Sequence, residues 1–379
     1  VDELTLRTGF EIELLAPVGS DRRTLADVLA ARRGGSVHRT FHTDSEPSAV
    51  PGVGVFRHLS PAFDVVGPAG EPVARLVDDI TIVADLPRPG AGTTTGAPID
   101  LATGTTAGTT VGTPSGWYRL LSDDARLLRL VERLADPHAP MATVLDPVAD
   151  LFGVRADVLP AATRVNDPTG ATVAVAMPLP VGRERPCEIV TPPLVQGHLR
   201  ALEALLGPAR ELGFTVPQEA AVHVHVDGAP FRDPAAFANL VRLFAHWREP
   251  LWAALGTNRA CRRLAPLPDA LVELVEQPWE DADGRTGWQR LQEAARATGV
   301  TKYADVNLAQ LVAARPLRDT VEVRILPGDS DAHAIVHRAA IVERLLLRCL
   351  DPAPVPRPGS DAVHDPAAAL ADLAAVVAR

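Results

Sequence analysis

Polar and apolar residues alternate with a period of two in several short stretches far apart in this chain, and that pattern narrows the possible folds more than any other feature. In residues 8–15, Thr-Gly-Phe-Glu-Ile-Glu-Leu-Leu, a strand places Glu11 and Glu13 on one face and Phe10, Ile12 and Leu14 on the other. His223 and His225 stand in the same way opposite Val222, Val224 and Val226, and Glu322 and Arg324 opposite Val321, Val323 and Ile325. Asp79 and Thr81 alternate with Ile80 and Ile82, and Glu188 sits beside Ile189 in Cys-Glu-Ile-Val-Thr-Pro-Pro. Any one pair is explained by a half-buried antiparallel sheet with a solvated face. The residue types say more. A face that is merely wet scatters Lys, Thr, Ser and Gln, whereas these strands offer Glu-x-Glu, His-x-His and Glu-x-Arg.

Between the strands lie helical stretches at about 21–33, 122–135, 198–212, 233–255 and 330–350, with Asp21 near the start of the first and Ser122, Asp233 and Ser330 or Asp331 as N-caps of later ones. Residues 38–86 read as hairpins punctuated by Gly and Pro, and 87–116 form a Gly/Thr-rich stretch suited to a loop or lid. Hairpins mixed with strand-helix-strand passages predict an α+β fold. The expected organisation is a single catalytic domain over 1–350 with a variable region at about 38–116, a Pro-rich linker over 351–363, and a last helix over 364–379 that docks on the body or makes an oligomer contact.

The net charge of −10 disfavours nucleic acid and anionic membranes as partners. No run of apolar residues reaches the roughly 18–20 needed to span a bilayer, and the N-terminus reads as strand rather than as a leader, so a cytoplasmic enzyme is expected. Cys187, Cys261 and Cys349 are too far apart for a ligand motif or disulfide framework and read as packing thiols. Neither common glycine-rich nucleotide signature is present.

Two carboxylates two residues apart on one strand face repel unless positive charge lies between them. Mg²⁺ or Mn²⁺ supplies that charge and prefers oxygen ligands, so Glu11, Glu13, Glu188 and Glu322 are candidate metal ligands. His223 and His225 fit a zinc pair, a Mg²⁺/Mn²⁺ ligand or contacts to phosphate oxygens; His-Glu-x-x-His and cysteines at ligand spacing are absent. Arg259, Arg262 and Arg263 in Gly-Thr-Asn-Arg-Ala-Cys-Arg-Arg, and Lys302, are either solvated surface or phosphate contacts, and Asn307 either orients a substrate or caps a turn.

Taken in order, Gly-Phe-Glu-Ile-Glu, Cys-Glu-Ile-Val-Thr-Pro-Pro, Ala-Val-His-Val-His-Val-Asp, Asn-Arg-Ala-Cys-Arg-Arg, Lys-Tyr-Ala-Asp-Val-Asn-Leu and Thr-Val-Glu-Val-Arg-Ile-Leu resemble the amidoligase family. That family belongs to the carboxylate-amine ligase superfamily, with glutamine synthetase and glutamate-cysteine ligase. The resemblance implies a curved, mainly antiparallel sheet of glutamine-synthetase-like type, with helices on its outer face and ATP and Mg²⁺ on its concave face. It implies amide formation through an acyl phosphate from a small-molecule or peptide carboxylate and an amine. Glu11, Glu13, Glu188 and Glu322 then hold metal, His223, His225, Lys302 and Arg324 the nucleotide, and Arg324 with Arg259 or Arg263 the transferring phosphoryl group, while Glu322 is placed at the chemistry. Arg57, His58, Asp79, Thr81 and Asn307 are the candidates for a substrate pocket, and a glutamate or Asp44 for proton acceptor. A hydrolase using His223 and His225, and a nucleotide-binding protein without turnover, are the rival readings.

Overall fold

A computed structural model describes residues 4–47, 55–79, 81–82, 116–180, 182–261, 263–358 and 365–378. Most of the Gly/Thr-rich stretch, Ile80 and Arg262 lie outside them. The strands are β1 (Thr8–Leu15), β2 (Ser36–Pro47), β3 (Val55–Val66), β4 (Pro72–Val77), β5 (Tyr118–Leu121), β6 (Asp157–Leu159), β7 (Ala162–Asn166), β8 (Thr172–Pro178), β9 (Pro186–Val190), β10 (Ala221–Asp227), β11 (Val306–Asn307) and β12 (Thr320–Pro327). With the helices between them they make an α+β protein, and the chain divides into two compact units, 1–14 with 189–379, and 15–188.

The first unit carries strands in the order β11-β12-β10-β1, antiparallel at each pairing. Phe10, Ile12 and Leu14 are buried as the alternation predicts, with Val222, Val224, Val226, Val321 and Val323. Burying an apolar side chain of this size is worth about 1.5–3 kcal/mol, which holds the register and thereby fixes the opposite, polar face. Helix Ala332–Cys349 starts on the Asp331 cap and packs on helices His198–Glu211 and Pro234–His246. Its Glu343 accepts the N–H groups of Thr5 and Leu6 at 2.8 and 2.9 Å, tying the entry of β1 to the helix layer.

The helix expected over 233–255 is two helices, Pro234–His246 and Arg248–Leu255, with Trp247 between them. Pro250 has no N–H for the carbonyl of His246, so the ladder breaks there. The linker stretch is pinned as far as it is described. Buried Asn239 accepts the Val355 N–H at 2.9 Å and donates to the carbonyls of Asp351 and Ala353 at 2.8 and 3.0 Å, and Trp247 donates to Pro356 at 2.7 Å. The final helix, Pro366–Val377, is capped by Asp365 and packs against helices Arg248–Leu255 and Ala332–Cys349.

The second unit carries the order β9-β4-β3-β5-β8-β7-β6. Strand β2 pairs along the whole of β3, whose other edge is shared by β4 and β5. Phe41, Leu59, Tyr118 and Leu120 form its core with Leu127, Leu128 and Val131 of helix Ala125–Leu134. That helix is capped by Asp124 rather than by Ser122, whose hydroxyl instead donates to the Val173 carbonyl at 2.7 Å. The hairpin β6–β7 and the short helices Asp146–Phe152, Asp269–Leu274 and Gly287–Arg296 have no counterpart in the sequence expectations.

Candidate functional site

The register of the first unit brings the predicted polar residues of four strands to adjacent positions. Glu11 pairs with His223 across β1 and β10, His225 with Glu322 across β10 and β12, and Asn307 with Glu322 across β11 and β12. His223 Nδ1 lies 3.2 Å from Glu11 Oε2 and 3.6 Å from Glu322 Oε1, and His225 Nε2 lies 3.1 Å from Glu11 Oε1. Asn307 donates to Glu322 Oε2 at 2.7 Å, and Arg324 pairs with Glu322 Oε1.

Strand β12 reaches this arrangement through an irregularity that strict alternation does not foresee. Val222 pairs with Leu326 but Val224 with Val323, so Arg324 and Ile325 together lie against His223. The Arg324 N–H turns to the Asp305 carbonyl at 3.0 Å, and the Asp305 carboxylate is itself held by Arg248 and Trp252 at 2.8 and 2.9 Å. A bulge of this kind re-aims a side chain. Here Arg324, only 11% exposed, pairs with the Glu322 carboxylate.

The charges are closely coupled. Burial pushes the Glu11 pKa up, but the neighbouring His225 and His223 prevail and hold it well below the usual carboxylate range. Burial likewise raises Glu322, and Arg324 outweighs it to bring the pKa down. His223 is lowered by burial and by Arg324. For His225, burial acts downward and Glu11 overcomes it, so the net shift is upward. Arg324 is driven down by burial but raised more by Glu322, Glu13 and Glu11.

Within this unit, among the described residues, Glu11, His225 and Glu322 offer ligand atoms that all lie within 4.8 Å of one another. Glu11, Glu13 and Glu322 gather around the imidazoles of His223 and His225, with the Arg324 guanidinium paired to Glu322. Two carboxylates with one imidazole suit Mg²⁺ or Mn²⁺. The donor set therefore fits the metal that the resemblance implies. Glu13 stands apart from this trio: its Oε2 accepts the Ala221 N–H at 2.7 Å, and its Oε1 lies 3.5 Å from His223 Nε2.

Other predicted residues have different surroundings. Arg259 pairs with Glu249 at 2.7 Å and lies over Trp252; Arg263 and Lys302 lie over the Tyr303 ring. In the second unit, Glu188 is half-buried on β9, and Arg57 and His58 are exposed and buried respectively on β3. Burial, followed by the Arg119 charge, lowers the His58 pKa to about 4, which keeps the ring neutral near pH 7. The strand expected through Asp79 and Thr81 ends at Val77: Asp79 Oδ1 instead accepts the N–H and hydroxyl of Thr81 at 2.8 and 2.7 Å in a local turn. Buried Asp78, one residue earlier, pairs with Arg183 at 2.9 Å and Arg119 at 3.2 Å. Cys187, Cys261 and Cys349 make no disulfide, and burial pushes the Cys349 pKa up to about 12.

One residue at the site escapes the alternation argument. Arg318 lies in the loop before β12, with Nη1 3.6 Å from Glu11 Oε1. A loop residue carries no strand period, so only the arginine itself could have drawn attention.

Residues 4–346 match the family described as "Putative amidoligase enzyme". The match covers nearly the whole chain, and the protein belongs to that amidoligase family, which points to a ligase activity. No curated protein and no solved structure matches the chain significantly.

Proposed function

We propose that the protein is an ATP-dependent carboxylate-amine ligase that works with Mg²⁺ or Mn²⁺. The observation that carries the reading is the convergence of Glu11, His225 and Glu322, two carboxylates and an imidazole with ligand atoms within 4.8 Å of one another, in a chain of a ligase family. Glu11, His225 and Glu322 would hold the ion, which when bound neutralises charge on the nucleotide phosphates.

The chain's own residues supply the rest. Asn307 and Arg324 hold the two oxygens of Glu322 from opposite sides, fixing its plane. Glu13, anchored on the Ala221 N–H, positions His223 behind the trio. In the reaction a substrate carboxylate oxygen attacks the γ-phosphorus and ADP leaves. The amine nitrogen then attacks the acyl carbon, phosphate departs, and the amine's proton passes to a carboxylate of the site.

The test is ADP release with Mg²⁺ across a matrix of carboxylates and amines, comparing the wild type with Glu322→Gln. ADP release that requires a carboxylate and is lost in the variant supports the ligase. Tightly held zinc with ATP-independent hydrolysis would assign the histidine strand to a hydrolase. Nucleotide binding without ADP release from any pair would favour a protein without turnover.

A further inference from the structure

Strand β12 is entered through a loop, 313–319, whose backbone is fixed at its far end while the Arg318 side chain stays exposed. Gln310 Oε1 accepts the N–H groups of Leu317 and Arg318 at 2.9 and 3.3 Å. Asp319 pairs with Arg232 at 2.8 Å, and its carbonyl accepts the Gly228 N–H at 2.9 Å. The approach at Gly228 is tight, since a Cβ there would stand 2.7 Å from both Asp319 Oδ1 and Leu311 Cδ2.

The Arg318 side chain differs from this anchored backbone. It is 59% exposed, and its ion pair to Glu11 is 3.6 Å long, beyond good hydrogen-bond distance. Among the described residues its guanidinium has no hydrogen-bond partner. The oxygen it faces, Glu11 Oε1, is the one beside His225 Nε2, so Arg318 and a cation in the trio would compete for the same charge. Of the arginines expected to meet phosphate, Arg324 pairs with Glu322 and Arg259 with Glu249.

We infer that Arg318 is an exchangeable arm: without a cation it shares the charge of Glu11, and when a divalent cation takes Glu11 it turns to bind the phosphate of the incoming nucleotide. The inference rests on the ligase reading of the site. An exposed guanidinium on a fixed backbone can change partners by side-chain rotation alone, and its planar fork suits phosphate oxygens. Cation and nucleotide binding are then linked through one side chain, and removing it moves the two affinities in opposite directions.

The experiment is direct binding to the full chain, without turnover. Free Mn²⁺ is followed by electron paramagnetic resonance, and a non-hydrolysable ATP analogue is titrated calorimetrically at saturating Mn²⁺. Arg318→Gln is expected to bind Mn²⁺ alone roughly two- to fivefold more tightly, because a surface pair to Glu11 no longer competes. The same variant should bind the analogue roughly ten- to a hundredfold more weakly, having lost charged hydrogen bonds to phosphate. Arg318→Lys should restore wild-type Mn²⁺ affinity and part of the analogue affinity. If both affinities fall together, or both stay put, or only one moves, the inference is overturned. A wild type that binds Mn²⁺ but no analogue overturns the ligase reading and this inference with it, whereas wild-type binding of both with an unmoved Arg318→Gln overturns the inference alone.

Discussion

Replacing Arg324 with methionine keeps the length of the side chain and removes its charge from among Glu322, Glu13 and Glu11. Arg324 and Glu322 are each only 11% exposed, so solvent compensates little. Breaking such a buried pair by removing one partner typically costs about 3–5 kcal/mol, because the remaining charge is stranded. The pH dependence has a definite sign. In the wild type the lowered Glu322 pKa contributes stability above the unfolded carboxylate value of about 4.3 and loses it as pH falls through the folded value. In Arg324→Met, burial is left unopposed by arginine and raises the folded pKa, so the variant loses stability as pH rises above the unfolded value. Urea unfolding in the presence of a chelator should therefore show a deficit of about 3–5 kcal/mol at pH 8 that shrinks toward pH 5. Saturating Mn²⁺ should recover much of it, and the double variant Arg324→Met with Glu322→Gln should be more stable than Arg324→Met alone. A deficit under about 1 kcal/mol, the scale of an exposed pair, or one that does not change with pH, would refute the reasoning.

Three further outcomes follow from the same physics. Glu11→Gln should bring the His225 pKa down; in the wild type the raised value gives stability that is full below the unfolded histidine pKa of about 6.5 and is lost as pH rises through the folded one, and a ring-proton NMR titration of both proteins checks it. Asn239→Ala should destabilise by roughly 3 kcal/mol in chemical denaturation, since the Val355 N–H and two carbonyls lose their buried partner; a loss below about 1 kcal/mol, the worth of a single ordinary hydrogen bond, would mean that the 351–355 segment is not held there. The His58 ring should remain neutral at pH 6 by NMR, with its titration near pH 4, and protonation at pH 6 would contradict its burial.

The strands were legible because one physical constraint, a buried apolar face, repeats at every second residue. Phe10, Ile12 and Leu14 predict Glu11 and Glu13 on the opposite face, and the valines of β10 do the same for His223 and His225. Helix starts were legible where a side chain caps them, as at Asp233 and Asp331. Alternation alone does not say where a strand stops, so Asp79 and Thr81 read as strand although their own hydrogen bonds close a turn. Nor does it reveal a bulge, which depends on what the neighbouring strand and Asp305 offer to Arg324. The site shows the same division. Which residues share a face could be read, whereas the partner that each carboxylate takes could not: Glu13 gives an oxygen to the Ala221 N–H, while Glu322, more than three hundred residues from Glu11, joins it through β10.

Electron-nuclear spectroscopy of the Mn²⁺-loaded protein tests the central claim most directly. The account predicts bound Mn²⁺ with coupling to an imidazole nitrogen, lost in His225→Gln, and affinity sharply reduced in Glu11→Gln and Glu322→Gln while each variant keeps its wild-type circular dichroism. Mn²⁺ that binds without nitrogen coupling, or with an affinity indifferent to all three substitutions, would contradict it.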